Sequence, residues 1–242
     1  MSIGKIIIIA TSHASMGSLS SPETEATGIW FEELAVPYYE FVDAGYQVDI
    51  VSIAGGAIPI DPRSRNNKDE NVDAVERFIE DEHAMTKIKT SVSIEGVNFA
   101  EYEALFFPGG HGAMWDFPNH PILADAISVA LDEQRIVAAV CHGPAALVGV
   151  KDSTGAYVVK GKRVAGFTNT EEDAAGLTEQ VPFLLQDALI RMGAKYEYGD
   201  DFTPFVVQDG SLITGQNPAS SHLIAQHVIA SLSLGSKNSG TK

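Results

Sequence analysis

Apolar positions along this chain alternate between two periods, and the order of alternation predicts its architecture. Ile6 to Thr11 and Ile136 to Val140 are unbroken runs of β-branched or small residues without charge, the pattern of strands buried on both faces of a parallel sheet. From Gly28, Trp30, Leu34, Tyr38, Phe41 and Val42 recur at helical spacing up to a stop at Gly45, with Pro37 expected to kink or divide the helix. Gln47 to Ile53 reads as a second strand, so the chain opens β-α-β. Ala104 to Phe107 resumes the sheet, Pro121 to Glu133 is helical, and Pro144 suits the first turn of a helix following the strand at Ile136. Further on, Tyr157–Val159, Arg163–Gly166, Lys195–Tyr198 and Phe205–Val207 are short strand-like pieces, and Pro182–Met192 is helical. Asp209-Gly210 turns a hairpin into Leu212–Thr214, and Asn217 is expected to cap a last helix with Leu223, Ile224, Val228 and Leu232 facing the core. This is an α/β fold with a mostly parallel sheet.

Residues 57–100 interrupt the alternation. Asp61 to Glu70 is polar and turn-rich, Val72 to Met85 looks like one acidic-faced helix, and Val92 to Val97 is short and mixed. The stretch reads as a small inserted subdomain, either a lid over the site or a dimerisation element. The rest forms a single domain over residues 1–235, with a loop at Ser21-Pro22-Glu23-Thr24 and a disordered tail at 236–242.

Composition removes several functions. A formal charge of −16 argues against nucleic acid or an anionic membrane as partner. No apolar run approaches a membrane span, and Met1 to Ala10 is too short for a signal peptide. The single cysteine excludes an intrachain disulfide and fits a cytoplasmic location.

That cysteine, Cys141, falls where a buried strand meets the turn His142-Gly143-Pro144. Such a strand-to-helix turn is the setting of a nucleophile elbow, and a thiol exposed there, at a helix N-terminus, is expected to be a stabilised thiolate sensitive to oxidation and alkylation. Pro108-Gly109-Gly110-His111-Gly112 is a second turn after a strand, without the spacing of a nucleotide-binding loop. Its His111 reads as a loop hydrogen-bonder. No histidine pair has metal-ligand spacing with a carboxylate, so no metal is expected.

Five ordered motifs carry a resemblance: Ala139-Val-Cys141-His142-Gly143-Pro144; Pro108 to Gly112 with Trp115 to Pro118; Thr27-Gly28 with Glu33 before Pro37; Gly166-Phe-Thr168; and Thr214 to Ser220. Together they resemble the ThiJ/PfpI superfamily, in its branch of heat-shock chaperones and glutathione-independent glyoxalases. The resemblance implies a flavodoxin-like α/β sandwich, a homodimer, and cofactor-free conversion of a small 2-oxoaldehyde, methylglyoxal or glyoxal, to D-lactate or glycolate. It also implies a possible stress-chaperone role on unfolded client proteins, or a deglycase role. By its motifs the nucleophile is Cys141, its neighbour His142, and the third member Glu172, with Glu171 as competing register. The carboxylate at the thiol is Glu33, with Glu32 competing, and the oxyanion donors are the backbone N–H groups of Gly110 and His142.

The residue types suit that chemistry independently. A thiol adding to an aldehyde forms an oxyanion that needs fixed N–H donors, and moving a proton between adjacent carbons needs one positioned acid. Glu33 has apolar neighbours in Ile29, Trp30, Val36 and Pro37, so desolvation should keep it neutral. The alternatives are a holdase chaperone and a cysteine hydrolase of amidotransferase type. The latter needs a histidine followed two residues on by glutamate, which none of the seven histidines has.

Overall fold

The computed structural model describes residues 3–17, 25–67 and 70–238, the side chains of 235–238 excepted. Its strands are β1 (Lys5–Ala10), β2 (Gln47–Ser52), β3 (Val92–Ser93), β4 (Ala104–Phe107), β5 (Ile136–Val140), β6 (Arg163–Val164), β7 (Lys195–Tyr196), β8 (Val206–Asp209) and β9 (Leu212–Gly215). The helices are α1 (Phe31–Asp43), α2 (Asp73–Glu80), α3 (Glu82–Lys89), α4 (Ala113–Asp116), α5 (Pro121–Asp132), α6 (Asn169–Ala174), α7 (Leu185–Arg191) and α8 (Ser221–Asn238).

Seven strands form one sheet in the order β3-β2-β1-β4-β5-β9-β8, parallel except for the β8–β9 hairpin. β6 and β7 pair separately. The unbroken apolar runs follow from burial on both faces, because successive strand residues point to opposite sides. Ile6, Ile8, Phe106, Ala138 and Val140 pack under α1, α2, α3 and α8. Ile7, Ile9, Leu105, Phe107, Val137 and Ala139 pack against α4, α5, α7 and the turn after β5. The strand order reverses between β1 and β4, and in open α/β sheets ligands bind beyond the carboxyl ends of the strands at such a switch.

Several elements depart from the pattern of apolar positions. Helix α1 runs through Pro37; Glu33, four residues earlier, gives up only the backbone partner that proline cannot supply. The helix expected over Val72–Met85 is two, broken at Asp81, whose carboxylate accepts from the His83 and Ala84 N–H groups and so starts α3. Residues 57–100 do not stand apart. Val75, Phe78, Ala84 and Ile88 join the core beneath α1, and Val92–Ser93 extends the sheet beside β2. A cap from Asn217 to the last helix does not form: its side chain turns inward to other partners, Pro218–Ser220 makes a 3₁₀ turn, and α8 begins at Ser221. That helix continues to Asn238, so 236–238 are helical, while 239–242 and the loop at 21–24 lie outside the described residues. Among the described residues no helix is long and apolar enough to cross a membrane.

Candidate active site

Cys141 directly follows β5 with φ +59°, a left-handed conformation that costs a non-glycine residue about 1–2 kcal/mol. Its N–H donates to Gly215 O at 3.0 Å and its carbonyl accepts from Phe167 N–H at 2.9 Å, so two neighbouring segments hold the strained turn. The segment that follows, Gly143–Leu147, is a 3₁₀ stretch and not the expected α-helix. It is too short to supply a useful macrodipole. The thiol is also buried, at 3% exposure. Burial, the Glu33 carboxyl beside it and the more distant Glu171 push its pKa well above the ordinary thiol value, against a lowering contribution from the Gly110 N–H. The exposed, stabilised thiolate expected from the elbow is therefore not what the fold builds.

Glu33 explains the difference. The first turn of α1 is tied to the turn after β4 by Trp30 N–H donating to Gly109 O at 3.1 Å, and Glu33 Oε2 accepts from Gly109 N–H at 2.7 Å. Its side chain is fully buried, and Oε1 has no nitrogen or oxygen partner among the described residues. The other polar group acting on the carboxyl is the Cys141 thiol, which lowers its pKa. Desolvation raises the Glu33 pKa well above the usual carboxylate range, outweighing the bonds from Cys141 and Gly109. Both groups are raised, so at neutral pH the thiol and the carboxyl each keep their own proton. Glu32 is half-buried and one position round the helix, so the thiol meets Glu33 alone.

Two glycines make this approach possible. A Cβ on Gly109 would come 2.5 Å from His142 N and 2.8 Å from Glu33 Oε2, and Gly110, at φ +94°, is pressed against the Gly28–Trp30 backbone. The Gly110 N–H faces Cys141, and neither it nor the His142 N–H has a backbone acceptor among the described residues. Both are available to a developing oxyanion.

On the other side of the sulfur, His142 Nδ1 lies 3.4 Å from Sγ, and its Nε2 bonds Glu172 Oε2 at 2.7 Å. Glu172 Oε1 bonds His111 Nε2 at 2.8 Å, and the two imidazole rings lie with centroids 4.1 Å apart, tilted by 41°. Although burial acts to raise it, the two histidines hold the Glu172 carboxyl far below the usual range. Burial and the neighbouring His142 depress His111 to about 4, so it is neutral at pH 7. Glu171, the other register, is anchored elsewhere. It closes a capping box with Thr168, and its Oε1 accepts from Phe202 N–H, Gln216 and Asn217.

His111 thus does more than brace its loop. Its Nδ1 meets Arg63 Nη2 at 3.3 Å, and nothing in the turn-rich stretch 61–70 singles out Arg63 beforehand. The only sequence signal was Asp61-Pro62, a turn initiator. That turn is delivered to the site by Phe31 N–H donating to Ser64 Oγ at 3.0 Å, which caps α1 from outside. His111, His142 and Glu172 also make a donor set that elsewhere takes Zn²⁺. All three are engaged within the protein, however: His111 Nδ1 with Arg63 Nη2, and the two Glu172 oxygens with the Nε2 atoms of His111 and His142.

The thiol opens into a cavity of about 280 Å³ whose walls include Trp30, Phe167, Leu177 and Phe202, with Arg63 at one edge. A larger open groove of about 530 Å³ at the β2–β3 edge, lined by Asp49, Lys87 and Tyr102, is remote from this chemistry. The C-terminal histidines are committed elsewhere, His222 to Glu40 at 2.8 Å and His227 to Gln208 at 3.1 Å. Neither is available for a glutaminase-type relay.

A strained cysteine at a parallel-strand end, paired with a histidine and a buried glutamate at a switch point, defines a class of α/β protein, and the chain belongs to it. Residues 26–231 match the DJ-1/PfpI family, and the chain is a member of that family. Over 220 residues, 85% of this chain and 90% of the relative, it is 34% identical to a glutathione-independent glyoxalase of Saccharomyces cerevisiae. Among solved structures it is similar to the rapid encystment protein of Francisella tularensis (TM-score 0.89, 40% identity, covering 95% of this chain and 99% of that one). It is also similar to glyoxalase III of Candida albicans (TM-score 0.84, 28% identity, covering 94% and 97%).

Proposed function

We propose that this protein is a glutathione-independent glyoxalase that converts methylglyoxal and water to lactate, with D-lactate the expected isomer. The observation that carries the reading is Glu33, a buried acid with one unpartnered oxygen beside the thiol. A cysteine hydrolase needs no such group, whereas an internal proton transfer between two carbons does.

The steps follow from the residues present. Cys141 Sγ attacks the aldehyde carbon as its proton passes to His142 Nδ1, and the oxyanion forms against the Gly110 and His142 N–H groups. Glu33 protonates that oxygen, giving the hemithioacetal and leaving Glu33 ionised. The carboxylate then removes the C1 hydrogen as a proton and returns it to C2, so C1 is oxidised to a thioester while C2 is reduced to a carbinol. The remaining hydroxyl proton moves between the two oxygens. Water hydrolyses the thioester, releasing lactic acid and the thiol, and the proton on His142 returns to Glu33. One molecule of water is consumed, and no electron acceptor or cofactor enters the balance.

The test is turnover of methylglyoxal by purified protein without glutathione, scored as D-lactate, beside Cys141→Ala. Lactate production that depends on Cys141 is the expected result. Aldehyde loss without lactate, or wild-type turnover by Cys141→Ala, would overturn the reading.

A further inference from the structure

We propose that Arg63 is a positioning residue of this site: it assigns the proton of His111 to Nε2, and through that assignment keeps Glu172 an anion dedicated to His142. The reasoning is geometric. A guanidinium stays charged at every pH the fold survives, and each of its nitrogens offers only donors. Arg63 Nη2 faces His111 Nδ1 at 3.3 Å, so Nδ1 must present a lone pair. The ring's one proton is then on Nε2, 2.8 Å from Glu172 Oε1. Glu172 Oε2 accepts from His142 Nε2 at 2.7 Å. A carboxyl accepting on both oxygens is ionised, and His142 is left with Nδ1 open toward the sulfur at 3.4 Å. One cation at the cavity edge thereby sets the tautomers of two histidines.

Arg63 is itself fixed. Its Nε and Nη2 bind Asp61 Oδ1 and Oδ2 at 2.9 and 2.6 Å. The Asp61 side chain is fully buried and also accepts from Thr27 Oγ1 at 2.8 Å. The charged and titratable groups around His111 are Arg63, Glu172 and His142, with Asp61 and Glu25 acting on Arg63 from behind. The Phe167 ring closes the remaining side at 6.1 Å and carries no charge. If Arg63 is removed, Nδ1 loses its donor and the nearest positive charge, and His111 can take a second proton. Glu172 then pairs with a cation at His111, and its support of His142 as a base weakens.

The activity readout rests on the glyoxalase reading; the spectroscopic one does not. Long-range ¹H–¹⁵N correlation spectra of the histidine rings should show wild-type His111 as the neutral Nε2–H tautomer from pH 5 to pH 8. In Arg63→Met the His111 titration should move up by about one pH unit or more. The acid limb of kcat should move up with it, with kcat reduced about twofold at pH 5 and KM for methylglyoxal changed less than threefold. Arg63→Lys, which keeps the charge but not the fork, should restore the pH limb only in part. A wild-type His111 protonated on Nδ1 overturns the proposal, whether or not any variant folds. So does an Arg63→Met protein with normal melting temperature whose His111 tautomer and pH profile are unchanged. If wild-type protein turns over no methylglyoxal but His111 titrates as stated, the glyoxalase reading fails and this one stands.

Discussion

Two buried glutamates flank the Cys141 sulfur, and their environments drive them in opposite directions. Glu33, on the α1 side, is fully buried with one backbone N–H and the Cys141 thiol acting to lower its pKa, so desolvation wins and the carboxyl is held neutral. Glu172, on the α6 side, is nearly as buried, yet it receives an N–H from each of two histidines and becomes an anion. Residue type is the same and burial nearly so. The deciding quantity is the number of donors aimed at the carboxyl, and the outcome is an acid on one side of the nucleophile and the support of a base on the other.

The largest effect should come from removing the acid. Glu33→Gln keeps the shape and the Gly109 bond but has no proton to give, so kcat should fall about 10²–10⁴-fold with a smaller change in KM. Glu32→Gln is the matched control and should stay near wild type. If the two results exchanged places, the acid would be assigned to the wrong position. Glu172→Gln leaves an amide between two imidazoles and should lower kcat by about 10–10², the usual cost of losing a group that orients a functional imidazole. Equal losses in Glu33→Gln and Glu172→Gln at every pH would erase the distinction between the sides.

Stability should respond in opposite senses too. His111 is depressed from 6.5 to about 4 by burial and His142. The unfolded chain therefore binds more protons between those values, and stability is fully present above pH 6.5 and lost as pH falls toward 4, by about 3 kcal/mol. Glu33 is raised above 4.5, so its contribution is present below pH 4.5 and is lost as pH rises. Glu33→Gln should therefore melt higher than wild type at neutral pH while turning over far more slowly. Thermal melts of both proteins from pH 4 to pH 8 check the two signs together.

What the sequence made legible was whatever depends on local pattern. The double-faced strands, the elbow at Cys141, the glycine pair before His111 and the apolar setting of Glu33 all follow from neighbours within one helical turn or strand. The elements that escaped depend on distant partners. Asn217 looks like a helix cap, but the buried Glu171 and the Thr203 carbonyl claim its amide. His111 is four residues beyond β4, and only folding brings it between Arg63 and Glu172. The thiol's pKa also runs opposite to the elbow expectation, because burial and the neighbouring acid outweigh what five residues of 3₁₀ helix can offer.

The comparison turns on whether Glu33 carries a proton at neutral pH, and infrared difference spectroscopy with ¹³C-labelled glutamate reads that directly. The C=O stretch of a protonated glutamic acid should be present in wild-type protein at pH 7, absent in Glu33→Gln and retained in Glu172→Gln. A wild-type spectrum without that band, or a band that disappears with Glu172 and survives the loss of Glu33, would contradict the assignment of acid and anion on which the proposed chemistry depends.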